Sequence, residues 1–500
     1  MAREDVATTS KNKVRQSVVT LPATSEYSVA SPTGNSSSPF VPTGNYVYDV
    51  WSTSLYKLCR PFLILMRLGG LFFIQPSSLA GNKIHDVTAT TLTDSQVGSF
   101  QKWEKFERAS MWYSFIVLGF GLAWAGKFIY SMVFGLSGIA FTQSNLSVIV
   151  SHCGYLCWVL QINITQMIFL RACLGSRKLP ELFMKWETLR YSCAMKECDS
   201  PNFGSDFRWR RNLVSFLAIL HCVLQWMSAD FPIIISGPNY AILRGTLMEG
   251  VAWDDAGIIF LNLVSGLLTA FIYVVPAYFF TLIAVTLTID FHHIQNDMHH
   301  CIKEDGVMAV KSLEWFRIRH NSLCVLVDLA DEVFCPWIAL TLGCNVVQIL
   351  CQIFLLAGNA TAWTVITDLT QTYWMLTYFL QLLVILYRGA LVNEAAHGPL
   401  HRLYQLDQSR MSIPEALQLQ TFLNRLTTNP IGFTAWRLLP INYEALLLML
   451  GTYVTYQLLL FQLQLDLGLD GKVDKLHESC LNDVTGNISS HMLPEGIHNL

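Results

Sequence analysis

The stretch IIFLNLVSGLLTAFIYVVPAYFFTLIAVTLTI, from Ile258 to Ile289, contains no Asp, Glu, Lys or Arg. A helix needs about 20 mainly apolar residues to cross a hydrocarbon core roughly 30 Å thick. This stretch is longer than one crossing requires, so we expect its helix to project beyond the bilayer. It therefore predicts a membrane-spanning helix.

Six further apolar stretches are long enough to cross a bilayer as helices. With the stretch above they predict an all-α membrane protein with seven transmembrane helices. The six are Trp112–Gly135, Leu146–Leu170, Leu213–Ile235, Phe334–Ala357, Ala360–Leu391 and Ala445–Leu465.

The composition excludes most soluble classes. The 500 residues are 52% hydrophobic and only 14% charged, whereas soluble domains carry about 25% charge. A net charge of −3 offers no cationic excess for neutralising phosphates, so nucleic acid is excluded as a partner. No HExxH, GxSxG or P-loop motif occurs, so nothing supports an enzyme of those classes or a cofactor.

Lys and Arg residues are concentrated in every second connecting segment, which sets the orientation because such cations stay on the cytoplasmic side. The rich segments precede the first span and follow the second, fourth and sixth, whereas Arg244 stands alone between the third and fourth. The topology is therefore inverted relative to G-protein-coupled receptors: the N-terminus is cytosolic and the C-terminus extracellular. Three Asn-X-Ser/Thr glycosylation sites fall on the outer side in this topology, namely Asn145, Asn359 and Asn487.

The chain divides into four regions on these criteria. Residues 28–46 are rich in Ser, Pro, Gly and Asn and predict a disordered segment. The predicted regions are a disordered cytosolic N-terminal arm (1–54), a cytosolic helical region (55–109), the seven-helix transmembrane domain (110–468) with cytosolic helices at about 290–330 and 390–443, and an extracellular tail (469–500).

The last span carries a polar stripe. At about 100° per residue, a single arc of roughly 100° holds six of its residues: Thr452, Thr455, Leu459, Gln462, Leu463 and Asp466. Such a stripe is unfavourable in lipid and should face protein or water. In a ring of several copies Leu459 and Leu463 would form a dewetting constriction and Asp466 a cation-attracting ring. Hydrogen bonding between helices of one subunit is the alternative.

Three segments resemble the arthropod gustatory receptor family. Thr455, Tyr456, Gln462 and Leu463 match the TYhhhhhQF signature of the last span, with Leu463 where the family most often has Phe. GFTAWRLLPIN, residues 432–442, is similar to the stretch before that span, and LYKLCRPFLILMRLGGLFFIQP, residues 55–76, to the helix before the first span.

The resemblance implies a ligand-gated, nonselective cation channel in the plasma membrane of a sensory neuron dendrite. It would be a homo- or heterotetramer with other gustatory receptor subunits, its ligand a small-molecule tastant. Each subunit would contribute its last helix to a central pore, with Leu459, Gln462 and Leu463 at the gate. The lower parts of the last four spans would form a cytosolic anchor.

Aromatic faces and scattered polar groups in the middle spans indicate a ligand pocket. The candidate residues are Trp226, Asp230, Asn262, Asn345, Gln348, Asp368, Gln371, Tyr373 and Trp374. The Gln-x-x-Trp pair Gln371 and Trp374 is similar to the pocket of fructose-type gustatory receptors and hints at a polyol. Contacts between helices explain the same residues, and bitter compounds remain equally open as ligands.

A histidine-rich segment is a candidate metal site. The sequence FHHIQNDMHH, from Phe291 to His300, would bind metal only with ligands from elsewhere, because its histidine pairs lie two helical turns apart. Solvated or interfacial histidines explain it as well.

Two interpretations of the whole chain compete with a channel. They are an integral-membrane enzyme and a multispan receptor subunit without its own pore.

Overall fold

The computed structural model describes residues 54–74, 94–136, 143–174, 177–191, 205–236, 256–302, 313–358, 365–428, 430–459 and 462. The predicted N-terminal arm up to residue 53, the C-terminal tail, Leu463, Asp466, Asn359 and Asn487 lie outside these residues. Asn145, Asp230, Asn262 and Asp368 lie on described helices, but their side chains are not described.

The described chain is built almost entirely from helices. In chain order they are α1 (Ser54–Leu68), α2 (Asp94–Leu136), α3 (Gln143–Leu174), α4 (Lys178–Tyr191), α5 (Ser205–Ser236), α6 (Ala256–Cys301), α7 (Leu313–Gly358), α8 (Val365–His397), the short α9 (Pro399–Leu403), α10 (Ile413–Thr428) and α11 (443–459). A 3₁₀ turn (Gln408–Arg410) precedes α10, and a two-stranded hairpin of β1 (Thr434–Ala435) and β2 (Leu439–Pro440) precedes α11.

Five of these helices are long and apolar enough to cross a membrane in their described parts. The stretches are Glu104–Tyr130, Ile149–Leu174, Leu263–Cys301, Leu313–Leu356 and Leu369–Leu403, the last of which runs from α8 through α9. These correspond to five of the seven predicted spans. The other two predicted spans lie on α5 and α11, so the seven-span count and the inverted topology stay predictions.

An aromatic cluster holds the centre of the bundle together. The ring centroids of Phe280 on α6 and Phe433, just before β1, lie 4.8 Å apart, and Phe280 lies 5.4 Å from Phe334 on α7. Phe169 on α3 contacts Phe334 at 6.2 Å. Such offset and edge-to-face pairs add to the burial of large apolar surface. The hairpin and three long helices therefore share one core.

A buried ion pair fixes α1 against α2. Glu107 is fully buried and accepts hydrogen bonds from the Arg67 guanidinium and from the backbone N–H of Ile74, the latter at 2.8 Å. The hydroxyl of Tyr113 donates to the carbonyl of Leu68 at 2.6 Å. A buried carboxylate needs such partners because its desolvation is costly. The C-terminal end of α1 is thus tied to α2.

The hairpin interrupts the region 390–443, for which we predicted cytosolic helices. Thr434 pairs with Pro440 in the antiparallel register, and Trp436 and Arg437 have φ of 53° and 58°. Pro430 and Pro440 disfavour a continuous helix here, since proline removes a backbone donor and restricts the preceding residue. Asp331 on α7 secures the hairpin by accepting from the backbone N–H of Thr434 at 2.7 Å.

Helix α10 begins at a side-chain cap in this region. The Ser412 hydroxyl and backbone N–H donate to the Glu415 carboxylate at 2.8 and 3.0 Å. These bonds favour the charged form and lower the pKa of Glu415 below its ordinary value. The sequence Ser-Ile-Pro-Glu at 412–415 is the S/T-x-x-E pattern of a helix start.

Candidate ligand cavity and pore-facing helix

A cavity with about 490 Å³ of empty space, part of it open to the outside, lies among α3, α5, α7 and α8. Its lining residues are Ser151, Gly154, Tyr155, Trp158, Gln225, Cys351, Gln352, Leu355, Gln371, Trp374 and Tyr378. No carboxylate or cationic side chain is among these described lining residues.

Aromatic rings form one wall of this cavity, which we call the amide cavity for its glutamines. Tyr155 lies 6.1 Å from both Trp158 and Trp374 between ring centroids, with the planes near perpendicular. The indole N–H of Trp374 donates to the Ser228 hydroxyl at 2.9 Å. The Trp374 ring is thereby held in a fixed orientation and offers a rigid apolar surface.

Three glutamines bring amide groups to the same cavity from three helices. Gln225 on α5, Gln352 on α7 and Gln371 on α8 are only 3%, 7% and 7% exposed. In the described part of the chain the carbonyl oxygen of each is buried and has no hydrogen-bond partner. A buried acceptor left without a partner costs about 1–3 kcal/mol. All three oxygens are available to a ligand that donates hydrogen bonds.

A network of amides adjoins the cavity and links three helices. Gln348 on α7 donates to Gln161 on α3 at 2.7 Å, and Gln161 donates to Asn345 at 3.3 Å. Asn345 donates to Gln381 on α8 at 3.0 Å. Such bonds between buried groups favour one arrangement of the helices, although Gln348 Oε1 has no partner in the described part of the chain. Gln348 lies one helical turn from Gln352, so the network begins beside the cavity.

The predicted pocket residues divide into four groups. Gln371 and Trp374 line the amide cavity, and Asn345 and Gln348 belong to the adjoining network. Trp226 and Tyr373 do not line it; the Trp226 indole donates instead to the backbone carbonyl of Leu263 at 3.0 Å. Asp230, Asn262 and Asp368 have no described side chains.

Sequence reasoning missed the contribution of α3. Ser151, Tyr155 and Trp158 line the cavity at positions i, i+4 and i+7, so they share one face of α3. That spacing is visible in the sequence SHCGYLCW from residue 151, but the predicted pocket residues begin only at Trp226. The spacing of polar and aromatic residues was the available signal.

Helix α11 packs against the subunit by one face only. Tyr453 contacts Phe379 of α8 with ring centroids 5.7 Å apart. On the predicted stripe, Thr455, Leu459 and Gln462 are exposed, and the Thr455 hydroxyl donates only to the carbonyl of Gly451 in its own helix, at 2.9 Å. The described part of the stripe therefore faces away from its own subunit.

The histidines of the sequence FHHIQNDMHH lie at the end of α6. Among the residues that the structure describes, no group of three or more His, Cys, Asp or Glu side chains is arranged to hold a metal ion. His292 contacts the amide oxygen of Gln295 at 3.4 Å.

Long apolar helices around a partly open cavity define the class: this is a multi-pass membrane protein. A family model described as 7tm Chemosensory receptor matches residues 98–466. The chain therefore belongs to the 7tm chemosensory receptor family, which confirms the resemblance at that level. Proteins of this family are receptors, so the match favours a receptor over an enzyme.

Solved structures agree in fold. The chain is similar to the insect olfactory receptor OR5 from Machilis hrabei in complex with eugenol, at 14% identity and a TM-score of 0.59, over 84% of this chain and 100% of that chain. A second structure of that receptor matches at 14% identity and a TM-score of 0.58, with the same coverage. The comparison with curated proteins gives no match.

Proposed function

We propose that this protein is a gustatory receptor of the plasma membrane that acts as a tastant-gated, nonselective cation channel. The tastant binds in the amide cavity, and four subunits, identical or mixed, surround a pore formed by their α11 helices. The observation that carries this proposal is the outward-facing stripe of α11, on which Thr455 and Gln462 are exposed while Tyr453 packs inward. The family assignment makes a chemosensory ligand the natural trigger.

The pore follows from the cost of placing that stripe in lipid. Amide groups in contact with hydrocarbon lose their hydrogen bonds to water, which is expensive, so Gln462 needs protein or water beside it. Several copies meeting at these faces satisfy this requirement around a water-filled path. Leu459 then forms an apolar ring that closes the path by dewetting, and the undescribed Leu463 and Asp466 extend the gate and the cation-attracting rim.

The ligand class follows from the groups that line the amide cavity. Three unpartnered carbonyl oxygens accept hydrogen bonds, and the rings of Tyr155 and Trp374 cover an apolar face. A sugar presents several hydroxyl donors and C–H faces that suit both surfaces. A cationic bitter alkaloid would enter without a carboxylate partner among the described lining residues, which is unfavourable for a buried charge. A sugar is therefore the favoured tastant.

Helix α8 provides a direct path from ligand to gate. Gln371 and Trp374 line the amide cavity, Gln381 joins the amide network, and Phe379 contacts Tyr453 of α11. A ligand opens the channel only through a higher affinity for the open arrangement. We expect sugar binding to shift α8, and with it α11, toward that arrangement.

Removing one acceptor tests the ligand site. In cells expressing the chain, Gln371→Leu is expected to raise the sugar concentration for half-maximal current by about fivefold to tenfold, the equivalent of roughly 1–1.5 kcal/mol for one hydrogen bond. Dose-response recordings with fructose, glucose, sucrose and quinine measure this effect. Gln352→Leu should act in the same direction, because its carbonyl oxygen lines the same cavity.

The control is Gln420→Leu, since Gln420 is an exposed glutamine of α10 outside the cavity. Its dose-response curve should match that of the wild type. Equal sensitivity of Gln371→Leu and wild type to every sugar, or a response to quinine alone, would refute the sugar assignment.

A further inference from the structure

A second cavity, with about 320 Å³ of empty space that includes an open side, lies among α2, α3 and α6. We call it the lateral cavity. Its walls are mainly apolar and include Phe120 and Trp124 of α2 and Leu268 and Ile272 of α6. It shares no lining residue with the amide cavity.

One polar atom in this cavity has no partner. Asn163 on α3 is 2% exposed, and in the described part of the chain its side-chain oxygen Oδ1 is buried without a hydrogen bond. Its Nδ2 donates to the Val159 carbonyl at 2.8 Å. That bond fixes the amide orientation, because a carbonyl accepts only from the NH₂ end. The end left free is therefore a hydrogen-bond acceptor.

The residue of α2 that lies against this acceptor is a glycine. A Cβ atom added at Gly121 of α2 would lie 2.6 Å from Asn163 Oδ1. Any other residue there would press on the acceptor. By contrast, a Cβ at Gly119 or Gly126 of the same helix would meet nothing within 4 Å.

The outer surface of α2 indicates where a ligand comes from. Several large apolar side chains of this membrane-spanning helix are strongly exposed, among them Trp112, Ile116, Tyr130 and Val133 at 61%, 68%, 63% and 59%. In a membrane they face hydrocarbon, so the lateral cavity lies behind a lipid-facing helix. Molecules dissolved in the bilayer are its nearest source of ligand.

We propose that the lateral cavity binds an uncharged hydrocarbon alcohol from the bilayer. The hydroxyl donates its hydrogen bond to Asn163 Oδ1, and the hydrocarbon body packs against Phe120, Trp124 and Leu268. This arrangement removes the cost of the unpartnered oxygen and buries the apolar surface of the ligand. The site is separate from the proposed tastant cavity and does not depend on gating.

The test uses menthol and menthone, a cyclic hydrocarbon alcohol and the ketone that lacks its donor. Saturation binding of tritiated menthol is measured on the full chain in nanodiscs, with empty nanodiscs subtracted for partitioning. We expect saturable binding to the wild type and to Gly119→Ala, no saturable binding to Gly121→Ala, and about fivefold to tenfold weaker binding to Asn163→Leu. Menthone should compete at least fivefold less well than menthol on the wild-type protein.

Three results would overturn the proposal. Equal binding to Gly119→Ala and Gly121→Ala would place menthol elsewhere, as would a loss of binding in Gln371→Leu, which alters only the amide cavity. An absence of saturable binding to the wild type would leave water as the partner of Asn163. The comparison of menthol with menthone on unaltered protein remains decisive even if a variant fails to fold.

Discussion

Glu107→Ala is expected to lower the free energy of unfolding by about 3–5 kcal/mol, the largest loss of stability among the substitutions considered. The substitution leaves the Arg67 guanidinium, 13% exposed, and the backbone N–H of Ile74 without their shared acceptor. A buried charge that loses its partner costs more than the pair contributed, because its desolvation is no longer offset. The tie between α1 and α2 should be lost with it.

Glu104→Ala provides a matched control one turn earlier on α2. Its carboxylate pairs with Arg108 at 3.3 Å on the surface, where the arginine side chain is 50% exposed. An exposed i,i+4 pair contributes only about 0.3–0.5 kcal/mol. Thermal unfolding in detergent, followed by tryptophan fluorescence, should show a large shift for Glu107→Ala and almost none for Glu104→Ala. Similar shifts for both variants would contradict a structural role for the buried pair.

Leu459→Ser is expected to raise the cation current measured without ligand by on the order of tenfold. A polar group at an apolar constriction lowers the cost of wetting it, and about 1.4 kcal/mol in favour of the open state gives a tenfold change in its population. Leu459 is 53% exposed on the stripe. Whole-cell recording in the absence of sugar measures the effect.

Val454→Ser is the matched control, because Val454 is 54% exposed on the same helix but lies well outside the predicted stripe. Its ligand-free current should equal that of the wild type. If both serine variants leak equally, the leak comes from a weakened helix and not from an opened constriction.

Much of the fold could be predicted from the sequence because its signals are local. Runs such as Ile258–Ile289 lack charge over a length that only a buried or membrane-spanning helix accommodates. The hairpin at 434–440 could not be predicted in the same way. It depends on Asp331, about a hundred residues earlier in the chain, which binds Thr434 across the packed bundle.

The candidate site also has residues that local sequence signals predict and residues that depend on the packing of distant helices. Gln371 and Trp374 were predicted because a ligand pocket needs aromatic faces and a few polar groups, which these two residues bring within one helical turn. The role of Gln225 and Gln352 depends on how α5 and α7 rotate toward a common space, and single-helix periodicity does not give that rotation between helices. The lateral cavity could not be predicted for a related reason. Gly121 of α2 lies against Asn163 of α3 only because these two helices pack together.

It stays a prediction that the stripe of α11 lines a pore between several subunits. Thr455, Leu459 and Gln462 are exposed in the single chain, as a surface that meets other copies requires. Leu463 and Asp466, which complete the predicted gate, lie outside the described residues. The claim that several copies meet at this stripe is therefore best tested by a functional measurement at one of its described positions.

The most direct measurement is modification of Gln462→Cys by a cationic, membrane-impermeant thiol reagent during a sugar-evoked current. If α11 lines the pore, the bulky positive charge should block most of the cation current in this variant, while wild type and Val454→Cys, which share the native cysteines, keep theirs. An unchanged current in Gln462→Cys, or an equal loss in Val454→Cys, would contradict the account that ions pass between copies of α11.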